Sequence, residues 1–81
     1  MRYKIAMYNG SEKDFLIQLA SRIKERRKKK KLTQEELARL TGLHRTYIGQ
    51  LESGQKNISM GVLLKVANAL EVSVENLVKY L

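Results

Sequence analysis

The stretch TQEELARLTGLHRTYIGQLESG, residues 33–54, constrains the fold more than any other part of this 81-residue chain. Thr33 and Glu36 have the spacing of a capping box, which predicts the start of a helix that runs to about Leu40. Gly42 supplies the left-handed residue that a tight turn needs, and a second short helix follows it. The segment therefore predicts two short helices that pack together across a turn of about three or four residues.

The second helix of this segment is predicted from about His44 to Ser53, and Gly54 ends it. Ala38 is small at the point where the two helices would cross, so that their backbones can approach closely. The residues predicted to face inward from this pair of helices are Leu37, Ala38, Leu40, Leu43, Ile48 and Leu51.

Three more helices are predicted around this pair because an N-capping serine precedes each apolar repeat, at Ser11, Ser59 and Ser73. The five predicted helices cover about residues 12–30, 34–40, 44–53, 60–70 and 74–81. Their further buried residues are Phe15, Leu16, Leu19, Ala20, Ile23, Leu63, Val66, Ala67 and Leu70. We expect residues 1–10 to form an N-terminal arm or short strand, and residues 11–81 to form one all-α, five-helix domain.

The composition argues against several classes of protein. The chain contains no cysteine and only one histidine, His44, so neither a disulfide nor a metal site is expected. No apolar run approaches the roughly 18 residues of a membrane span, and no signal-peptide pattern opens the chain. We therefore expect a cytoplasmic protein without a cofactor, a metal ion or catalytic residues.

Basic residues concentrate in the first part of the chain. The net charge is +8, and residues 1–31 hold eleven lysines and arginines against three acidic residues, whereas residues 32–81 hold five of each sign. A polyanionic partner is the direct interpretation, and nucleic acid is the first candidate. Two alternatives stay open. The net charge serves as a solubilising surface, or part of the run RRKKKK at residues 26–31 serves to stabilise the negative end of a helix dipole.

The outward face of the predicted 44–53 helix carries side chains that are suited to reading base edges. At about 100° per residue, Arg45, Thr46 and Gln50 fall on the side opposite the apolar Ile48. Arginine pairs with guanine, glutamine pairs with adenine, and the threonine methyl group contacts the thymine methyl group. Tyr47 lies at the edge of this face, where it either contacts DNA or packs as a half-buried side chain. We predict that these four polar residues read bases.

The pattern TQEELA followed by G-x-x-x-x-Y-I-x-x-L-E-x-G makes residues 19–78 resemble the helix-turn-helix domain of phage repressors and Cro proteins. Within that class, HRTYIGQLESGQKNIS and the short last helix are most similar to controller proteins of restriction–modification systems. The resemblance implies a five-helix, lambda-repressor-like DNA-binding fold, a homodimer, and palindromic operators on double-stranded DNA. The docking geometry assumed here, a recognition helix in the major groove, is the one that the phage repressors define.

The resemblance also implies contacts with the phosphate backbone. Gln34 matches a phosphate-binding glutamine at the start of a helix. His44 matches the first residue of the recognition helix, where it is expected to cap that helix and to lie next to a phosphate. Arg27 and Glu52 match a salt bridge that ties the first helix to the end of the recognition helix. The loop expected to follow the opposite phosphate backbone contains Ser53, Gln55, Lys56 and Asn57.

The sequence departs from the family pattern at three positions. Lys31 and Glu71 stand where the family usually has a left-handed glycine after the first and fourth helices. If both adopt that conformation, each carries roughly 1 kcal/mol of strain. Gly49 replaces a polar or bulky residue in the middle of the recognition helix, and it should weaken that helix by roughly 0.5–1 kcal/mol.

The last helix carries more apolar residues than a small domain can bury on one face. We therefore predict an exposed apolar patch that pairs with a second copy of the chain and sets two recognition helices roughly 34–36 Å apart. The alternative is that these side chains close the core of the monomer. The predicted interface residues are Val74, Leu77, Val78, Tyr80 and Leu81.

The leading interpretation is an autoregulatory DNA-binding transcription factor that controls a restriction–modification system, with RNA polymerase as a further candidate partner. The alternative is an antitoxin whose main partner is a protein, bound through residues 1–10 or through the last helix. No catalytic set of residues supports an enzyme. RNA binding is disfavoured because the chain lacks an aromatic stacking platform.

Overall fold

A computed structural model describes residues 12–81, which fold into five α-helices. The helices are α1 (Glu12–Lys29), α2 (Gln34–Thr41), α3 (Arg45–Glu52), α4 (Met60–Leu70) and α5 (Val74–Val78). No strand is present among these residues. The predicted all-α, five-helix domain is confirmed. The arm or strand predicted for residues 1–10 and the capping role predicted for Ser11 lie outside the described residues.

Side-chain caps fix the starts of three helices where the sequence predicted them. The Thr33 hydroxyl accepts a hydrogen bond from the Glu36 amide (3.0 Å), and the Glu36 carboxylate accepts one from the Thr33 amide (2.8 Å). The hydrogen bond from that backbone amide, helped by the Thr33 hydroxyl, lowers the pKa of the Glu36 carboxyl below its ordinary value. The Ser59 and Ser73 hydroxyls cap α4 and α5 in the same manner.

Four helices end in the same backbone turn. The amide of the residue that follows each left-handed residue donates to a carbonyl five residues earlier, which is the usual hydrogen bond of a left-handed C-cap. The prediction of left-handed backbone after α1 and α4 is confirmed. The left-handed residues are Lys31 (φ 59°), Gly42 (φ 73°), Gly54 (φ 78°) and Glu71 (φ 58°).

The core lies where the five helices meet. α1 packs against α3, α4 and α5, while α2 packs against α3 and α4. Three of the residues predicted to face inward are half-buried at the edge of this core, namely Phe15, Leu16 and Leu43. The remaining apolar residues predicted to be buried, Leu40 excepted, are confirmed. The buried hydrophobic residues are Leu19, Ala20, Ile23, Leu37, Ala38, Ile48, Leu51, Leu63, Val66, Ala67, Leu70 and Leu77.

One predicted core residue of α2 is wrong. Leu40 is 54% exposed, and Thr41 is buried in its place. The Thr41 hydroxyl donates to the carbonyl of Leu37 at 2.8 Å, so this polar side chain is buried without losing a hydrogen bond. The pattern of apolar residues treats threonine as polar, and it therefore selected the wrong neighbour.

The last helix is shorter than predicted, whereas the other helix bounds agree to within one residue. α5 ends at Val78 and not at Leu81, because Lys79 is extended (φ −63°, ψ 132°) and Tyr80 has a left-handed φ of 61°. Arg22 of α1 closes this end, since its Nη1 donates to the carbonyls of Asn76, Leu77 and Lys79 at 3.3, 3.3 and 3.0 Å. A cation at a helix C-terminus is favourable because the free carbonyls carry partial negative charge.

Candidate nucleic-acid interface

α3 turns one side to the core and the other to solvent. Ile48 is buried on the inner side, while Arg45 and Thr46 are exposed on the outer side and Gln50 is half-buried there. Tyr47 is half-buried and packs against the core, as in the second of the two interpretations given for it. The predicted reading face is thus available to a partner, and the base-reading role of its residues remains a prediction.

The start of α3 has no side-chain cap. His44 occupies the N-cap position with extended backbone (φ −71°, ψ 145°), but its side chain makes no capping hydrogen bond. The prediction that His44 caps the helix therefore holds for its backbone position alone. Amides in the first turn of a helix are favourable partners for an anion, so this end of α3 suits a phosphate oxygen.

A buried polar cluster joins α1, α2 and α3. The Arg27 guanidinium donates to Glu52 through Nε–Oε2 (2.7 Å) and Nη2–Oε1 (3.0 Å), and both residues are 7% exposed. Arg27 Nη1 also donates to the Leu32 carbonyl at 2.6 Å. The salt bridge predicted from the resemblance is confirmed. Two parallel hydrogen bonds between planar groups fix direction as well as distance, so the cluster sets the angle between α1 and α3.

Gln34, the first residue of α2, belongs to the same cluster. Its Nε2 donates to Glu52 Oε1 at 3.1 Å, so the side chain lies against the end of α3. A Cβ added at Gly49 would lie 3.7 Å from Gln34 Oε1, which is an ordinary contact. The fold of one chain therefore does not require glycine at this position. Sequence reasoning missed the contact between Gln34 and Glu52, because a separation of 18 residues leaves no local signal.

The loop after α3 carries the other predicted phosphate-binding residues. Gln55, Lys56 and Asn57 are exposed. Ser53 is exposed as well, but its hydroxyl donates to the Gln50 carbonyl at 2.9 Å, so part of its capacity is used within the helix end. These residues line one wall of a surface depression whose other wall is the first half of α1. Their binding of phosphate remains a prediction.

Gly54 presses this loop against α1. A Cβ added there would come within 3.0 Å of Ile17 Cγ1 and 3.3 Å of Ile17 Cα. The positive φ and the close approach to the backbone of α1 together favour glycine here, so that the loop lies close against α1.

The predicted dimer residues fall into three groups. Leu77 is 0% exposed and belongs to the core of the monomer. A wholly buried side chain has no surface to offer a second copy, so its placement in an interface is wrong. Val74, Val78 and Leu81 are half-buried and pack against the core, and Tyr80 is 90% exposed.

Two other kinds of site have no counterpart in residues 12–81. No three of the histidine and acidic side chains described there are grouped so that they could hold a metal ion. None of the five helices combines the length and the apolar character that crossing a membrane requires.

Comparison with known proteins assigns this arrangement of helices to a family. A helix-turn-helix family model matches residues 23–77, which is more than half of the chain. The chain belongs to the helix-turn-helix family. The predicted resemblance is confirmed, and α2 and α3 are the two helices of the motif. In such domains the second helix is the one that enters the major groove.

Comparison with individual members of the helix-turn-helix family shows which kinds of protein this chain is similar to. The chain is 42% identical over 59 residues to the control protein C.SmaI of Serratia marcescens, which is 73% of this chain and 70% of that protein. It is 40% identical over 60 residues to the immunity repressor protein of Bacillus phage phi105, across 74% of this chain and 42% of that protein. The crystal structure of the restriction–modification controller protein C.AhdI from Aeromonas hydrophila matches with a TM-score of 0.75 and 44% identity. That match covers 76% of this chain and 94% of the other.

Proposed function

We propose that this protein is a sequence-specific regulator of transcription that binds double-stranded DNA as a homodimer in the cytoplasm. More specifically, we propose that it is the autoregulatory controller of a restriction–modification system and that it acts on palindromic operators. The observation that carries the proposal is the polar outer face of α3, with Arg45 and Thr46 exposed on it. This face is held at a fixed angle by the buried pair of Arg27 and Glu52.

In this arrangement some residues read the bases, and others position the protein on the duplex. α3 enters the major groove, where Arg45 donates to guanine, Gln50 pairs with adenine, and Thr46 contacts a thymine methyl group. The start of α2 at Gln34 contacts the phosphate backbone on one side of the groove. Lys56, in the loop after α3, contacts the backbone on the other side. Phosphate contacts fix the register of the protein on the duplex, and base contacts supply the specificity.

The homodimer pairs the outer surface of α5 with the same surface of a second copy. Tyr80 is almost wholly exposed next to the half-buried Val78 and Leu81, so an apolar strip remains at this end of the domain. A two-fold pairing is self-complementary, and it presents two recognition helices to successive major grooves. Contact with RNA polymerase would be needed only where the bound dimer activates a promoter.

The restriction–modification form rests on similarity to proteins that are named for that role, C.SmaI and C.AhdI. The antitoxin alternative has no specific observation in its favour. The matched family is a helix-turn-helix family, and the proposal includes no catalytic reaction.

Binding-site selection from a pool of random duplexes tests the proposal. The wild-type chain should enrich a palindrome, and Arg45→Ala should weaken binding to that site by about 1–3 kcal/mol with little change on random DNA. Lys56→Ala is the matched comparison, because it should weaken binding to both kinds of DNA alike and flatten the salt slope by about one unit per protomer. An unchanged ratio of specific to random affinity in Arg45→Ala would show that α3 does not read the bases.

A further inference from the structure

A line of exposed side chains on α1 extends beyond the helix-turn-helix pair. Ile17, Lys24 and Lys28 are seven and four residues apart, which places them within about 40° of one another around the helix. All three are exposed. Nothing in the proposed reading of DNA by α2, α3 and their loop uses the two lysines.

Two contacts fix the direction in which this side of α1 faces. Ile17 lies against Gly54, so the line begins at the turn that follows α3. Near its other end, the adjoining side of α1 carries Arg27, which is bonded to Glu52 at the end of α3. Lys24 and Lys28 therefore lie on a side of α1 that adjoins its contacts with the end of the recognition helix and with the turn that follows it.

The opposite side of α1 faces the C-terminal helices. Arg22 donates to carbonyls at the end of α5, and Lys30 pairs with Glu71 at the end of α4. The basic residues of α1 are thus divided into those that hold the fold together and those that point elsewhere. The run of cations at the end of α1 is not explained by helix capping alone.

The charge on the side of α1 that carries Lys24 and Lys28 indicates what binds there. The ion pairs recorded within residues 12–81 use Arg27 and Lys30, and neither Lys24 nor Lys28 takes part in one. Nucleic-acid phosphates carry the complementary charge, and they lie beside the major groove that α3 is proposed to occupy. Arg27, on the adjoining side of α1, and Gln34, at the start of α2, donate to the same oxygen of Glu52, so this end of α1 lies close to the start of α2.

We infer that Lys24 and Lys28 form a second phosphate-binding site, which engages the DNA backbone that flanks the groove on the side of Gln34. The inference rests on the proposed function, since α3 must first place the duplex against this surface. A lysine is a compact point charge on a flexible stem, so the contact follows the backbone without reading sequence. It lengthens the interface beyond the base pairs that α3 touches.

Salt dependence measures this site directly. Lys24→Gln and Lys28→Gln, made singly, are compared with Lys65→Gln, which removes an exposed lysine of α4 beside Leu40 and Asn68. Affinity is measured between 50 and 200 mM salt on the duplex that the wild-type chain selects and on a random duplex. Each α1 variant should lower the slope of log K against log salt by about 0.9 per protomer on both duplexes. Lys65→Gln should leave the slope of the wild-type chain unchanged.

The two possible failures are separable. If the wild-type chain prefers no duplex over random DNA, the proposed function fails and this inference falls with it. If the wild-type chain binds its selected site while the slopes of both α1 variants equal that of Lys65→Gln, this inference alone is overturned. All three lysines are exposed, so melting temperatures equal to that of the wild-type chain should accompany any change in slope.

Discussion

The helix-turn-helix pair α2–α3 and the C-terminal pair α4–α5 differ in what holds them and in what they expose. The first pair is tied to α1 by the buried Arg27 and Glu52, and it presents polar side chains such as Arg45 to solvent. The second pair is held by aliphatic packing and, at the ends of its helices, by hydrogen bonds from one cation of α1 and from another just beyond the end of α1. It leaves Leu64 of α4 exposed, together with Tyr80 just beyond α5. A bidentate ion pair fixes direction, whereas aliphatic packing is non-directional and mainly fixes proximity. The buried, bidentate tie is therefore found where a surface has to be presented at one angle.

The largest expected effect separates the two roles of the last helix. Leu77→Asp places an unpaired charge in the core, which costs more than about 4 kcal/mol and should unfold the domain. Tyr80→Asp places the same charge on an exposed residue with a left-handed backbone, which aspartate tolerates, so the chain should stay folded. Circular dichroism and sedimentation velocity should then show an unfolded Leu77→Asp chain and a folded Tyr80→Asp monomer. A folded, monomeric Leu77→Asp chain would return Leu77 to the interface, and a dimeric Tyr80→Asp chain would place the interface elsewhere.

A second test asks whether the buried ion pair supplies stability or orientation. Glu52→Leu leaves the Arg27 guanidinium buried without its carboxylate, and it should lower the free energy of unfolding by about 3–5 kcal/mol. The double variant Arg27→Met with Glu52→Leu removes both charges and should recover most of that loss. Urea denaturation gives the free energies of unfolding, and binding to the selected duplex reports orientation.

If orientation is the main role of the pair, the double variant should be nearly as stable as the wild-type chain and still bind the selected duplex more weakly. Equal instability in the single and double variants would instead assign the pair to stability. The matching control is Thr41→Val, which removes a buried hydroxyl of α2 without a charge. It should cost about 1 kcal/mol and leave the preference for the selected duplex intact.

The parts of the fold that the sequence predicted correctly are those with a local cause. The caps at Thr33, Ser59 and Ser73 need only residues within one turn, and these helix starts agree with the structure. The side of an apolar residue was harder to predict where two neighbours compete. Leu40 and Thr41 were exchanged because the hydrogen bond that allows threonine into the core is invisible to an apolar pattern.

Contacts between distant segments account for the remaining differences. Arg22 donates to carbonyls at the end of α5 that lie 54 or more residues away in the sequence. No local pattern near Val78 therefore predicts that this helix ends early. Leu77 was assigned to an interface because counting apolar residues shows a surplus without showing which of them faces inward. The salt bridge of Arg27 and Glu52 was predicted because the family resemblance, unlike local pattern, carries pairings between distant segments.

The smallest expected effect concerns the helix ends, where glycine follows α2 and α3 but Lys31 and Glu71 follow α1 and α4. Lys31→Gly removes the left-handed strain of roughly 1 kcal/mol, and the greater freedom of glycine in the unfolded chain offsets part of that gain. The melting temperature should therefore rise by a few degrees, in a thermal scan followed by circular dichroism. The change should be the same at pH 7 and pH 3, because Lys31 takes part in neither of the ion pairs recorded within residues 12–81.

Glu71→Gly sharpens this comparison because the same residue is paired. The hydrogen bond from Lys30, with its positive charge, lowers the pKa of the Glu71 carboxyl in the folded chain. A lowered pKa means that the pair stabilises the fold above the ordinary carboxyl pKa, and that this contribution is lost as the pH falls through the lowered value. Glu71→Gly forfeits the pair at pH 7, where it should gain less than Lys31→Gly. At pH 3 the wild-type chain has lost part of the pair as well, so the gain of Glu71→Gly should approach that of Lys31→Gly. Two gains that differ by the same amount at both pH values would mean that the pair of Lys30 and Glu71 contributes nothing to the end of α4.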